Sequence, residues 1–276
     1  MKTLSEKENF LAISEEHSNL ENSGIAIVSA PYEETTSWGA GAGKGPEAIL
    51  KASAYVEFYD DEFENELCFE KGIATMEAVD FKGKIEKEAL DIIENQVSSL
   101  LEKDKLVVTL GGEHTVSAAS IAAHFKKYPG MSILHFDAHA DLRDEYEGSK
   151  YSHACIMRRV CDFFPPEKIT QVGIRALCRE EDDFIRNRHI STFFASAVRR
   201  NFFGEDWKKS IVETLGSEVY VSFDVDYFDP AIMPATGTPE PDGFLYGETL
   251  DIFREMKQQG KKIIGFDIVE LAPVEG

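Results

Sequence analysis

The chain has 276 residues, with 50 Asp and Glu against 29 Lys and Arg, for a formal net charge of −21 at pH 7. That shortage of cations argues against nucleic acid and against an anionic membrane surface as partners, while a small cationic molecule would be attracted. Hydrophobic residues make up 43% and charged residues 29%, enough apolar material for a full core and too much for a disordered chain.

Residues 1–23 are polar and acidic, with no basic stretch followed by an apolar one, so they read as a polar lead-in and not as a signal peptide. No run of 18 apolar residues occurs, so no membrane span is expected. Cys68, Cys155, Cys161 and Cys178 are far apart and form no CxxC pair, which suits reduced thiols in a cytoplasmic protein.

From residue 24 onward, short apolar runs rich in Val, Ile and Phe are bounded by Gly, Pro or Asp. They fall at 24–30, 72–79, 106–110, 132–136, 169–174, 190–194, 219–225 and 262–269. Continuous apolar runs of this length suit strands buried on both faces. Between them, helical spacing appears at 46–58, 84–103, 117–128, 151–163, 179–188, 205–215 and 248–259. Strands alternating with helices predict one doubly wound α/β domain over 24–276, with ligands beyond the carboxyl ends of the strands.

The polar residues stand where that rule puts them. The third run leads into Gly111-Gly112-Glu113-His114 and the fourth into Asp137-Ala138-His139-Ala140-Asp141. The seventh ends in Asp224-Val225-Asp226 and the eighth in Asp267-Ile268-Val269-Glu270. If the fourth run continues as a strand, Asp137, His139 and Asp141 face one way. Together with His114, Asp224 and Asp226 they make six donors, four of them carboxylates. Such charges repel unless neutralised, and two divalent cations balance them. A His/Asp set without Cys favours Mn²⁺, with Zn²⁺, Fe²⁺, Co²⁺ or Ni²⁺ also able to fit. A paired centre acidifies water, so the expected chemistry is hydrolysis of a carbon centre or a phosphoester.

The glycine-rich stretch Gly39–Gly45 lacks the Lys-Ser/Thr ending of a phosphate-binding loop. His124 and His189 match no ligand position. His135 shares a face with Asp137 and could support it, though a packed core histidine is the simpler reading.

These strings, with Tyr227-Phe228-Asp229-Pro230 and Pro234-Ala235-Thr236-Gly237-Thr238-Pro239 after them, resemble the ureohydrolase family over about residues 24–273. The resemblance implies a three-layer α/β/α fold around an eight-stranded, mostly parallel sheet. It implies two Mn²⁺ ions. His114, Asp137, Asp141 and Asp224 would hold one, and Asp137, His139, Asp224 and Asp226 the other. Glu270 would pair with a guanidinium, His153 would carry a proton, and Asp141 would also orient the attacking hydroxide. The family further suggests a homotrimer or homohexamer.

Residues 142–152 depart from the arginase pattern and are similar to the agmatinase branch, which hydrolyses agmatine to putrescine and urea in polyamine biosynthesis. On that reading, Asp144, Glu145 and Glu147 form an acidic rim for the substrate's ammonium tail, and Arg143 pairs with a neighbouring acid. Another guanidino or formimino substrate, as for arginase, guanidinobutyrase or formiminoglutamase, is the alternative; a metal-binding homologue without catalysis is the third reading. Family members usually continue past Glu-Leu-Ala-Pro into a last helix. This sequence stops at Gly276, so that helix is expected to be missing or truncated.

Overall fold

A computed structural model describes residues 1–274; Glu275 and Gly276, the end of the expected domain, lie outside the described residues. Eight strands form the centre: β1 (Ile25–Ala30), β2 (Ile73–Thr75), β3 (Leu106–Gly111), β4 (Ser132–Phe136), β5 (Ile169–Val172), β6 (Ser191–Phe193), β7 (Glu218–Asp224) and β8 (Lys262–Val269). Each coincides with one of the apolar runs. They make one sheet in the order β2-β1-β3-β8-β7-β4-β5-β6, with every pairing parallel.

The helices are α1 (Glu15–Ser18), α2 (Gly45–Ser53), α3 (Leu67–Lys71), α4 (Glu86–Leu101), α5 (Ser117–Lys127), α6 (Ile156–Val160), α7 (Arg179–Arg188), α8 (Ala195–Arg199), α9 (Trp207–Glu213) and α10 (Tyr246–Gln258). Alternate strand residues enter opposite layers, because successive side chains of a strand point to opposite faces. Ile133 and Tyr220 pack with Ile93, Val97 and Ile121 of α4 and α5, while Leu134 and Val221 pack with Ile211, Ile252 and Met256 of α9 and α10. Beside α10, Val221, Phe223, Phe266 and Ile268 line an apolar groove of about 500 Å³ on the second face.

The polar lead-in is better ordered than its composition suggests. Ile13 is buried, Leu11 donates its N–H to Ser53 Oγ, and Phe10 donates its N–H to Thr75 Oγ1. Residues 1–23 therefore pack on β2 and α2. Short helices such as α1, α3 and α8 carry too few apolar positions to show a period in the sequence.

The four strands that end in carboxylates or imidazoles are β3, β8, β7 and β4, consecutive neighbours at the middle of the sheet. Their carboxyl ends are side by side, and one site collects all of their polar side chains.

Candidate active site

Each site residue is placed by the backbone just past a strand. Gly111 and Gly112 let β3 turn tightly there: a Cβ on Gly112 would stand 2.1 Å from Tyr32 O, a backbone atom that cannot yield. The turn delivers His114 into a short 3₁₀ helix, and its N–H meets Glu270 Oε1 at 2.6 Å. The expected strand alternation at Asp137–Asp141 does not occur, because β4 ends at Phe136. Asp137, His139 and Asp141 are on the following loop, and Asp141 and Glu270 adopt positive φ, 52° and 64°. Such backbone is uncommon for side chains with a Cβ and is held here by the surrounding contacts.

The carboxylates are aimed individually. Asp137 Oδ1 accepts the N–H of His139 at 2.6 Å, Asp224 Oδ1 accepts that of Asp226 at 2.8 Å, and Asp226 Oδ1 accepts that of Ala138 at 3.0 Å. One oxygen of each is thereby fixed to the backbone. The other faces inward: Asp137 Oδ2, Asp141 Oδ2 and Asp224 Oδ2 are 3.1, 3.1 and 3.4 Å from His114 Nδ1. Beside them, Asp226 Oδ2 lies 2.9 Å from His139 Nδ1, and Asp137 Oδ1 lies 3.5 Å from the same nitrogen. Asp137 belongs to both groups; Asp224 approaches the first directly and reaches the second through the backbone of Asp226.

This arrangement fits metal ions. Ser222 Oγ donates to Asp267 Oδ1 at 3.0 Å, so it accepts from His114 Nε2 at 3.0 Å. That leaves His114 Nδ1 as a buried lone pair with no hydrogen-bond partner among the described residues, facing three carboxylate oxygens. Against the opposing effect of burial, the three carboxylates raise this imidazole well above its usual range, so a proton on Nδ1 can relieve the contact, as can a bound metal ion; four buried carboxylates in one place favour the metal. Donors about 2.1 Å from one ion and at right angles are about 3 Å apart, which is the spacing found. The electrostatics agree. Burial, then Asp226 and Asp137, holds the Asp224 carboxyl well above its usual range, and burial with Asp137 pushes Asp141 up to about 6.

His135 is more than a packed core histidine. Gln171 Nε2 donates to its Nδ1 at 3.0 Å, so its Nε2 donates to Asp137 Oδ2 at 2.9 Å. It orients Asp137 from behind, as hydrogen-bond partners of metal ligands commonly do. His124 and His189 stand outside the site, as the sequence suggests.

Above the cluster is a cleft of about 270 Å³ lined by His139, Asp141, His153, Asp224, Glu240 and Glu270 among others. Burial, then Glu113 and Asp226, raises the Glu270 carboxyl to about 8 against the opposing hydrogen bond from His114 N–H. His153 is held down to about 4, by burial first and then by His139 and His114. Asp144, Glu145 and Glu147, expected as an acidic rim, are not among the residues that line the cleft. Asp144 turns away to Arg159 Nη2 at 2.7 Å. The loop contributes Arg143 and Tyr146 instead. Arg143 Nε is 4.0 Å from Glu181 Oε2 and its guanidinium lies 5.1 Å from the Tyr146 ring centre. Glu240 lines the cleft from another direction. Its backbone carbonyl is gripped by Arg175 Nη2 at 2.9 Å, and the same nitrogen holds Asp226 O at 2.7 Å.

The chain has relatives in one family. The Arginase family model matches residues 23–275. An N(1)-aminopropylagmatine ureohydrolase from Synechocystis sp. is 37% identical over 261 residues, covering 92% of this chain and 83% of that protein. An agmatinase from Bacillus cereus is 35% identical, covering 94% and 87%. Among solved structures, the agmatine ureohydrolase of Thermoplasma volcanium superimposes with a TM-score of 0.81 at 30% identity, covering 99% of this chain and 87% of that one.

Proposed function

The chain belongs to the Arginase family, and from that premise we propose that it hydrolyses agmatine to putrescine and urea at a pair of Mn²⁺ ions. The observation that carries the reading is the buried lone pair of His114 Nδ1 facing Asp137, Asp141 and Asp224 at the floor of a cleft that also holds Glu270. His114, Asp137, Asp141 and Asp224 would hold one ion; Asp137, His139, Asp224 and Asp226 would hold the other. The oxygen and nitrogen donors, with no sulfur, suit Mn²⁺. When bound, such a pair supplies a hydroxide nucleophile near neutral pH.

The chain's own groups do the rest. Glu270 faces the cluster and would pair with the guanidinium through charge-assisted hydrogen bonds, presenting its carbon to the nucleophile. Asp141 would accept a hydrogen bond from the nucleophile and orient it. The carbon–nitrogen bond to the tail breaks, oxygen from water stays on the carbon as urea, and the leaving nitrogen needs a proton. His153 Nε2 would take up the proton and deliver it there. Arg143 lies beside Tyr146 and Glu181, the latter an acidic partner within the chain, which is in keeping with agmatine over arginine or guanidinobutyrate. The subunits would assemble as a cytoplasmic homotrimer or homohexamer.

A second reading, N(1)-aminopropylagmatine as substrate, draws on the 37% identical Synechocystis relative. Urea release from agmatine, N(1)-aminopropylagmatine, arginine and guanidinobutyrate with Mn²⁺ supplied separates the readings. Agmatine should give the highest kcat/KM; a higher value for any of the others replaces the assignment, and urea from none refutes it.

A further inference from the structure

Thr35 joins two side chains from different parts of the chain. Its Oγ1 is 2.9 Å from Glu113 Oε1 and 3.2 Å from His153 Nδ1, and it accepts the backbone N–H of His153 at 3.1 Å. Glu113 is fully buried and accepts on both oxygens. Oε2 takes the N–H groups of Glu34 and Thr35 at 2.8 and 2.7 Å, and Oε1 takes the Thr115 hydroxyl at 2.7 Å.

A hydroxyl has one proton and two lone pairs. The Thr35 proton goes to Glu113, so both lone pairs face His153. One takes its backbone N–H, and the other takes a proton carried on Nδ1; Ser152 Oγ, 3.4 Å from the same nitrogen, is too distant to compete as a donor. His153 therefore has Nδ1–H and a bare Nε2. That Nε2 lies 3.0 Å from Ser37 Oγ, whose contact with the Tyr146 hydroxyl, at 3.5 Å, is too long to hold the Ser37 proton and leaves it to donate to Nε2; Ser37 and His153 both line the cleft.

We propose that Glu113 and Thr35 are positioning residues for His153, fixing its Nδ1–H tautomer so that Nε2 is the atom that takes up and releases the reaction's proton. The catalytic meaning rests on the role given to His153 above, whereas the tautomer is a property of the chain with or without that role. The logic is that of a carboxylate holding an imidazole in its working form, here through an intervening hydroxyl.

Nitrogen NMR on protein labelled with ¹⁵N-histidine reads the tautomer directly, with His153→Gln identifying the signal. Wild type should show a protonated-type Nδ1 and a bare-type Nε2. Thr35→Val removes the hydroxyl and should leave a mixture. Glu113→Gln should go further and reverse the chain. With its carbonyl kept on the Glu34 and Thr35 N–H groups, the amide NH₂ donates to Thr35 Oγ1. The Thr35 proton then turns to His153 Nδ1 and moves the ring proton to Nε2. In turnover, Thr35→Val should lower kcat on the order of 10-fold or more with KM within about 3-fold, since proton transfer and not binding is impaired. Thr35→Ser keeps the hydroxyl and should restore both tautomer and kcat. The proposal is overturned if Thr35→Val and Glu113→Gln keep the wild-type signature, or if Thr35→Ser fails to restore it. Should no guanidino substrate turn over, the NMR comparison still decides the tautomer, so the two failures are distinguishable.

Discussion

Asp226 Oδ1 accepts the backbone N–H of Ala138 at 3.0 Å, which ties the loop after β7 to the loop after β4 and leaves Oδ2 for His139. The Asp226 carboxylate offers Oδ2 to His139, while its link to the His114 group is a backbone N–H to Asp224, so its side chain serves one side of the paired site. Asp226→Ala should therefore strip one ion more readily than the other. Metal content after dialysis should fall from two equivalents towards one, and retention of both would contradict the assignment. Loss of a buried acceptor for Ala138 N–H should also cost about 1–3 kcal/mol of stability.

Glu270→Gln separates substrate binding from metal binding. The carboxylate takes the N–H of His114 through Oε1, a bond that the amide oxygen of Gln can keep. Shape and anchoring survive, while a carboxyl that burial and its acidic surroundings raise to about 8 and that ionises against a bound guanidinium is replaced by a group that cannot. In a partly dry cleft this should cost a few kcal/mol, on the order of 10²-fold in kcat/KM. Metal content should stay the same. A variant with near-normal kcat/KM would remove Glu270 from the reaction.

His124 gives a pH prediction away from the site. Its Nδ1–H donates to Ser120 O at 2.7 Å, while its buried Nε2 has no hydrogen-bond partner and faces Gly265, where a Cβ would stand 2.1 Å away. Burial, with Lys127 adding to it, holds the ring down to about 4 from an ordinary 6.5. The unfolded chain binds this proton first as pH falls. His124 thus favours the fold fully above pH 6.5 and loses that contribution between 6.5 and about 4. A shift of this size is worth roughly 3 kcal/mol. His124→Leu should flatten the fall in stability across that window in denaturant titrations. Parallel curves for variant and wild type would refute the assignment.

Much of this was legible because strands buried on both faces must be continuously apolar, and all eight runs became strands. The six donors stood out because chemistry collects at strand ends. Their local geometry was not legible: Asp137–Asp141 reads as alternating strand, yet the backbone leaves the strand at Asp137 and reaches positive φ at Asp141. His135 and Glu113 lie within the quoted strings or beside them, but a hydrogen-bond partner is set by residues far away in sequence, Gln171 for one and Thr35 for the other. The surroundings of the acidic run Asp144–Glu147 were hidden for the same reason. Charge is visible in a sequence, but the Arg159 that takes Asp144 out of the cleft becomes its neighbour only in the fold.

Glu240 is the residue placed to meet the substrate's tail. Glu240 lines the cleft on a loop whose carbonyl Arg175 holds, while Asp144, Glu145 and Glu147 do not line it. An ammonium at the far end of agmatine would meet Glu240. Glu240→Gln should raise KM for agmatine by about 3- to 10-fold, the scale of a partly exposed ion pair, with kcat little changed. The effect should shrink at high salt, since the group is reached by solvent. Neutralising Asp144, Glu145 and Glu147 together should change the agmatine KM by less than about 2-fold, with only the long-range field altered. The comparison is KM for agmatine in both variants at two ionic strengths. If the triple variant weakens agmatine and Glu240→Gln does not, the loop before His153 recognises the tail after all, and Glu240 is a bystander.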